Sequence, residues 1–539
     1  MPCDEENHVL GVWEGHDAGA ALLRGNHIVF AINEERLSRR KLEVGFPWRS
    51  IRACLNYARL QAPSVQVVAL STTDPAKTLT RLAPGLKEQY YLIRRRKIRP
   101  GRLGHLKKGF KYRFTELGPN FLSHRITRAY SRRRLKALGF GCCNLALLNH
   151  HHCHAEAAAW SSGFDGCLVL TLDGVGDGLS GSIWRFDGEA LEPIKKVASD
   201  VSLGVFYEHV THLMNMRELE DEGKVMALAN YAYPVADYEN PLMEVIRVSG
   251  LELVSPFTSM GMYRKLKKIL WQYPTEQFAY MAQRVLEKRV VSLTRNAIAI
   301  TREHNLALAG GVFSNVKLNM KLAQLSEASR VFVFPHMGDG GLALGAAMGV
   351  NQGRFGVDRY ILKDLALGPG FSDEAIFASL RRCGFAHSRV KNVAERAARL
   401  ILDGEIILWF QGRMEMGPRA LGNRSILARP DRKEIRDRLN LVLKKRVWYQ
   451  PFCPSILGSD AQALLYIDGQ DIKDNRFMTM AFRVREEHRH LMKGVMSIDG
   501  TCRPHFVGPE NRRYRDLLRA IKKGLGMGVV LNTSFNIHG

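Results

Sequence analysis

Four histidines fall within five positions in LNHHHCHAEAAAW, and two of them, His150 and His154, lie four apart in a run of good helix formers. Side chains at that spacing sit one turn apart on one helix face, so both imidazoles can reach one metal ion. A lone histidine is more often structural, but a cluster this dense is hard to explain by packing, because buried imidazoles still need partners. The natural third and fourth ligands are carboxylates at strand ends: Asp173, closing the apolar run CLVLTLD, and Asp339, in the glycine-rich HMGDGG. A His2Asp2 set with open positions suits Fe(II), Mn(II) or Zn(II), and spacing does not choose among them.

The elements that must position these residues repeat. HVLGVWEGHDAGAALLRGNHIVFAI reads as strand, turn and strand around GHDAG, with a second turn at Arg24-Gly25-Asn26. CLVLTLDGVGDGLSGSIWRFDGEALEPIKKV gives the same pattern, with a tight turn at Asp187-Gly188. The two hairpins, separated by a largely helical stretch, read as a duplicated β-sheet unit of actin/hexokinase-like type, the alternative being two unrelated hairpins. Two further strands run into glycine loops at LALAGGVFSNVKLNMKL and VFVFPHMGDGGLALGAAMG, where helix N-termini and bare backbone can approach a phosphate. Composition shifts around Gly353 to Gly370, which places a first domain at 1–360 and a second at 371–539, the latter with strands at EIILWF and GVVLNTSF.

A chain of 539 residues exceeds one ordinary core, and 46% hydrophobic with 24% charged residues places it in the soluble globular class. No apolar run suggests a membrane span, MPCDEENH shows no signal peptide, and nine scattered cysteines fit a reducing, cytoplasmic setting. The formal charge of +25 is uneven: Arg94 to Arg134 holds 15 Lys or Arg against one acid, Glu116, within an insertion at about 90–135. A solvated face is the ordinary reading of such a run. Here Tyr90, Tyr91, Phe110, Tyr112, Phe114 and Phe121 are interleaved with the charges, and stacking faces beside cations make nucleic acid a candidate partner through Arg94, Arg95, Arg96, Lys97 and Arg99.

The strings GHDAGAALL, EERLSRRK, NHHHCHA, LTLDGVGD, EGKVMALANY, AGGVFSNVKLN, GDGGLALGAA, GRMEMGPRALGNRSIL, PFCPSIL, DGTCR and LNTSFN run in order from end to end. In them the chain resembles the O-carbamoyltransferases of the nodulation, cephalosporin and tobramycin type. The resemblance implies an α/β chain: a duplicated actin/hexokinase-like N-terminal domain, akin to threonylcarbamoyl-transfer proteins, and a C-terminal α/β domain that forms carbamoyl-adenylate. It implies ATP, carbamoyl phosphate and a hydroxyl acceptor as substrates, Fe(II) foremost at the transfer site and Mg2+ with ATP. By the same resemblance Gly310, Gly311, Asn315 and Gly338 line the transfer domain's nucleotide pocket. His16 contacts the carbamoyl or phosphate group, and Glu222 or Lys224 assists at the acceptor. Arg413, Arg419, Arg424, Lys444, Arg446, Arg503, Asn532 and Ser534 gather the C-terminal domain's polyanions, a task suited to forked guanidinium donors.

The chain also departs from the family. Where the pattern is KxRExxRPFAP, Val447 replaces the acid and Gln450 the second arginine; after NTSFN, His538 stands where a cation is usual, and relatives usually continue past Gly539. A C-terminus shortened by truncation or deletion is therefore one expectation. The leading functional expectation is ATP- and carbamoyl-phosphate-dependent O-carbamoylation, with a hydroxymethylated pyrimidine in DNA set slightly ahead of a small-molecule or sugar hydroxyl. The alternatives are a nucleic-acid-binding protein with a decayed adenylation half and, third, a tRNA threonylcarbamoyl transferase.

Overall fold

The computed structural model describes residues 7–99, 114–141, 143–357, 359–467 and 475–536. Phe110, Tyr112, His538 and Gly539, and with them part of the basic insertion, lie outside those residues. The chain divides into two compact units, Met1–Ile361 and Leu362–Gly539.

Short apolar runs punctuated by glycine turns build the first unit's strands: β1 (His8–Trp13), β2 (Gly19–Arg24), β3 (His27–Asn33), β4 (Val67–Ser71) and β5 (Asn144–Leu148). They pair in the order β3-β2-β1-β4-β5, with β1, β4 and β5 parallel and β2 and β3 antiparallel. A second set follows: β6 (Cys167–Gly176), β7 (Leu179–Phe186), β8 (Leu191–Ala198), a small hairpin β9 (Arg247–Ser249) and β10 (Glu252–Val254), then β11 (Asn305–Ala309) and β12 (Arg330–Val333). The second large sheet pairs as β8-β7-β6-β11-β12, again with only its last three strands parallel. Strand for strand this is the first sheet repeated, crossovers included. The hairpins are halves of one duplicated actin/hexokinase-like domain.

Each sheet has its own core. Leu10, Val12, Leu22 and Phe30 pack with Ile51, Cys54 and Leu55 of the Trp48–Ala58 helix on the first. Leu168, Leu170 and Leu308 pack with Phe278, Met281, Val285 and Leu293 of the long Thr275–Thr301 helix on the second. At roughly 1.5–3 kcal/mol for each fully buried large apolar side chain, these contacts hold the scaffold. Between the sheets the His150–Ser162 and Leu342–Phe355 helices meet backbone to backbone: a Cβ on Gly345 would lie 1.9 Å from the Cys153 carbonyl oxygen. That contact fixes the helix that carries His150 and His154.

The second unit holds β13 (Ile407–Phe410), β14 (Arg424–Ala428), β15 (Cys453–Leu457), β16 (Leu465–Tyr466), β17 (Phe482–Val484), β18 (Thr501–Cys502), β19 (His505–Val507) and β20 (Val529–Ser534). Its main sheet runs β13-β14-β20-β15-β19, covered by the Val393–Leu402 and Arg512–Leu525 helices through Ala397, Ile401, Tyr514, Leu517 and Ile521. The strands β16, β17 and β18 form a smaller sheet. Among the described residues no helix is long and apolar enough to cross a membrane.

Candidate metal centre and anion pocket

The carboxyl ends of parallel strands are where open α/β sheets place ligands, and both halves of the first unit deliver polar side chains there. The first half contributes His16 after β1, Thr72 after β4, and His150 and His154 after β5. The second contributes Asp173 at β6, Gly310 after β11 and Asp339 after β12. One ligand atom from each of His150, His154, Asp173 and Asp339 lies within 4.8 Å of the others. His150 Nε2 is 3.2 Å from Asp173 Oδ2 and 3.6 Å from Asp339 Oδ1, and His154 Nε2 is 3.4 Å and 3.9 Å from the same two oxygens. His16 Nδ1 stands 3.3 Å from Asp339 Oδ2.

The surroundings set these groups for a cation. Burial lowers the His150 imidazole to about 4 and that of His16 to about 3, where the charges of Lys77 and Arg94 add to the effect, so both rings are neutral at pH 7 and can serve as ligands. Burial pushes the Asp339 carboxyl well up, and the Asp173 charge adds to it. Burial opposes ionisation of Asp173 too, but the hydrogen bond with His150 and the adjoining His154 ring prevail and hold it well below the usual carboxylate range. His154 Nε2 is buried with no hydrogen-bond partner. Two carboxylates crowded together beside an orphaned imidazole nitrogen fit a divalent ion, which would neutralise the first and engage the second.

Supporting residues aim the ligands. Asn149 caps the helix by accepting from the His151 and His152 N–H groups, and the Thr72 hydroxyl lies 3.2 Å from His150 Nδ1, leaving Nε2 for the centre. Thr72 does so at φ +74°, a strained conformation for a β-branched residue that costs roughly 1–3 kcal/mol. Buried Arg81 steadies it by donating to the Thr72 carbonyl at 2.9 Å while pairing with Glu14 at 2.6 Å. Asp177 accepts from the N–H groups of His150, Thr73 and Asp74 at 2.7, 3.0 and 3.0 Å, tying the β4 and β5 ends together. Gly310, at φ +100°, lets β11 pass so near β6 that a Cβ would sit 2.2 Å from the Leu172 carbonyl oxygen, next to Asp173. Gly311 is less tightly placed, a Cβ there lying 2.9 Å from Asp173 Oδ1, whereas Gly338 faces open space. Nothing in the sequence patterns singled out Thr72, Arg81, Glu14 or Asp177, although Asp177 lies inside LTLDGVGD.

Other expected residues have partners of their own. Asn315 caps the Val316–Ala323 helix and exchanges hydrogen bonds with Gln283. Lys224 pairs with Asp221 at 2.8 Å, while burial raises the Glu222 carboxyl to about 8. Arg94 is turned onto Glu208 and Glu218, Arg95 onto Glu220 and the Lys41 carbonyl, and Arg96 onto the carbonyls of His212 and Met216. Lys97 and Arg99 are exposed. Arg95→Glu, which sets two carboxylates against each other inside the unit, is therefore expected to lower unfolding stability by about 3–5 kcal/mol. Lys97→Glu and Arg99→Glu should stay within about 0.5 kcal/mol, as read from chemical-denaturation midpoints.

In the second unit a cation cluster lies around β15 and β20. Arg503 donates to Cys453 Sγ from Nη2 at 2.8 Å and from Nε at 3.1 Å, Arg446 stacks 4.1 Å over Phe452, and Lys444 donates to the Ser534 and Asn536 carbonyls. Asn532 donates to the Ala420 carbonyl and to Ser455 Oγ, both at 2.9 Å, and the Ser534 hydroxyl to Asn536 Oδ1 at 2.5 Å. Among the described residues no carboxylate pairs with Arg419, Arg446 or Arg503. Burial, with the neighbouring Arg503, lowers Arg419 to about 9; burial lowers Arg446 to about 10 and, with the Arg446 charge, Lys444 to about 7. Buried cations without counter-ions are costly, and a polyanion relieves that cost. The other two arginines are built into the frame: Arg424 donates to the Gln411 and Gly412 carbonyls 3.6 Å over the Phe410 ring, and Arg413 donates to those of Leu367 and Gly368. A cavity of about 560 Å³ in this unit is lined by Gln411, Arg413, Asn423, His505, Asn511 and Arg512 among others.

Comparison with known proteins matches the Carbamoyltransferase N-terminus model to residues 8–348 and the Carbamoyltransferase C-terminus model to residues 398–539. The chain is 33% identical over 536 residues to the nodulation protein NolNO of Sinorhizobium fredii, covering 97% of this chain and 74% of that one. It is 35% identical over 240 residues, 43% of each chain, to the 3'-hydroxymethylcephem-O-carbamoyltransferase of Streptomyces clavuligerus. A solved structure, T. kodakarensis HypF, aligns with a TM-score of 0.37 at 14% identity over 65% of this chain and 49% of its own.

Proposed function

The chain belongs to the carbamoyltransferase family, and from that premise we propose that it forms carbamoyl-adenylate from ATP and carbamoyl phosphate in its second unit and carbamoylates an acceptor hydroxyl in its first. The observation that carries the transfer half is the His2Asp2 centre, with His154 Nε2 orphaned between two carboxylates. His150, His154, Asp173 and Asp339 would hold a divalent ion, Fe(II) foremost, which would supply Lewis acidity to an oxygen of the transferring group.

This chain's own residues do the rest. In the second unit phosphate and pyrophosphate leave in turn, with one water consumed: carbamoyl phosphate and water yield carbamate and phosphate, and a carbamate oxygen attacks the α-phosphorus of ATP, which would enter with Mg2+, as the bond to pyrophosphate breaks. Arg419, Arg446, Arg503 and Lys444 are the donors for that developing negative charge, with Asn532 and Ser534 beside them, and the 560 Å³ cavity, to which Arg413 contributes, is of nucleotide size. The glycines Gly310, Gly311 and Gly338 give the leaving AMP a close backbone approach in the first unit. Attack of the acceptor oxygen on the carbonyl carbon expels AMP, and His16, neutral and 3.3 Å from Asp339, is placed to hydrogen-bond the carbamoyl group. Glu222, titrating near 8, is tuned to take the acceptor's proton near neutral pH.

A small-molecule or sugar hydroxyl is the acceptor we favour, because Arg94 and Arg95 are committed to Glu208, Glu218 and Glu220 and leave only part of the charge run for phosphates. Exposed Lys97 and Arg99 support the second reading, a hydroxymethylated base in DNA. Incubation with ATP, carbamoyl phosphate, Fe(II) and Mg2+ should release pyrophosphate and add one carbamoyl mass to a small hydroxyl acceptor. Carbamate found only on hydroxymethylated DNA moves the acceptor to the second reading, and no product from either class sinks both.

Lys444 gives a separate check on the anion half. Its folded value of about 7 lies below the ordinary lysine range, so folding is penalised below pH 7 and stability recovers as pH rises toward the unfolded value. An anion that pairs with Lys444 raises its value again. Pyrophosphate binding at pH 8 is therefore expected to take up about one proton or a fraction of one, read as the slope of calorimetric enthalpy against buffer ionisation enthalpy. Lys444→Met should reduce that slope toward zero.

A further inference from the structure

We propose that Cys453 is a site of reversible oxidation whose product closes the second unit's cation cluster to polyanions. Its sulfur accepts two N–H bonds from Arg503, at 2.8 and 3.1 Å, and lies within electrostatic reach of Arg419 and Arg446. A sulfur held by guanidinium N–H groups is set for attack on an electrophile, whereas thiols in apolar cores are inert. Cys54, Cys153 and Cys167 are buried as Cys453 is, and burial pushes their thiols up, the last to about 12, but none of the three has a guanidinium on it.

Buried polar atoms without partners lie beside the same sulfur. Asn532, directly across the ladder from Cys453 and hence on the same sheet face, is 2% exposed and keeps Oδ1 without a partner. Arg419 Nε and Arg446 Nη2 are likewise buried and unpartnered. Attack of the thiol sulfur on a hydroperoxide forms an S–O bond and breaks the O–O bond, and the thiol proton leaves with the departing oxygen as water or an alcohol; sulfur is oxidised to sulfenic acid and the peroxide reduced. The new oxygen takes the guanidinium donors that a phosphate would otherwise use. A small thiol reverses the step, displacing water to form a mixed disulfide that a second thiol reduces.

The test treats the full chain with hydrogen peroxide, traps sulfenic acid, quantifies each cysteine peptide by mass spectrometry, and measures pyrophosphate binding before and after. Cys453 is expected to react about tenfold faster than the buried Cys54, Cys153 and Cys167. Pyrophosphate should slow Cys453 about fivefold or more without protecting exposed Cys383. Oxidation should weaken pyrophosphate binding about tenfold, dithiothreitol should restore it, and Cys453→Ala should make binding indifferent to peroxide. If Cys453 stays reduced while Cys383 reacts, or is oxidised with pyrophosphate affinity unchanged, the proposal is overturned. The readouts are thiol mass and pyrophosphate binding, so failure to find a carbamoylated acceptor would leave this outcome intact.

Discussion

Asp173→Asn and His154→Ala proteins are expected to lose their bound divalent ion and, with it, acceptor carbamoylation by about 10³-fold or more, while pyrophosphate exchange between ATP and its products continues. The split follows from where the residues sit. Asp173 is the carboxylate held anionic by His150 and His154, and asparagine removes that charge while keeping the shape. His154 offers the orphaned nitrogen, and alanine deletes it. Neither residue belongs to the second unit, which carries the cation cluster. Asp177→Asn is the graded comparison. It touches the centre only by accepting the His150, Thr73 and Asp74 N–H groups, so a loss of about 10–100-fold in metal affinity is expected, the range found when ligand-orienting groups are removed. Metal content by mass spectrometry, single-turnover transfer and pyrophosphate exchange separate the cases. Loss of exchange together with transfer in Asp173→Asn would show that the two halves of the reaction do not divide as proposed.

How much of this was visible beforehand depended on the distance over which each residue finds its partners. His150 and His154 are one helix turn apart, and local spacing is enough to pair them. Asp173 and Asp339 follow once the hairpins are seen as a repeat, because equivalent strand ends converge in a duplicated sheet. The basic run was different. A count of charges says nothing of which side chains face inward, and the acids that take Arg94 and Arg95, Glu218 and Glu220, lie 124 and 125 positions further along. Thr72 and Asp177 were illegible for a related reason: their roles rest on a positive φ and on backbone N–H groups, which leave no side-chain pattern. In the second unit the sequence marks the cations but not their lack of acids, and Cys453 stands there inside a string, with nothing to show that it lies between them.

Arg419→Met and Arg503→Met are expected to move activity and stability in opposite directions. Each removes a forked donor from the acid-free cluster, so ATP-dependent pyrophosphate exchange should fall by about 10²–10³-fold, the usual loss when one preorganised donor to a developing anion is deleted. An arginine kept only for structure would take stability with it. Here burial and the charge of Arg503 hold Arg419 near 9, below the ordinary guanidinium range, so the folded protein holds that charge at a cost at neutral pH. The sign follows from linkage: with the folded value below the unfolded one, the penalty is full below about pH 9 and fades as pH rises beyond it. Methionine fills similar volume without charge and should raise the melting temperature by roughly 2–4 °C at pH 7, for about 1 kcal/mol of relieved repulsion and desolvation. Pyrophosphate at saturating concentration should stabilise the parent protein and do so far less for either variant, since binding to the folded state alone is what shifts the midpoint. A variant that loses exchange and also melts lower would assign the arginine to the frame of the unit, alongside Arg413 and Arg424, whose guanidiniums already donate to backbone carbonyls.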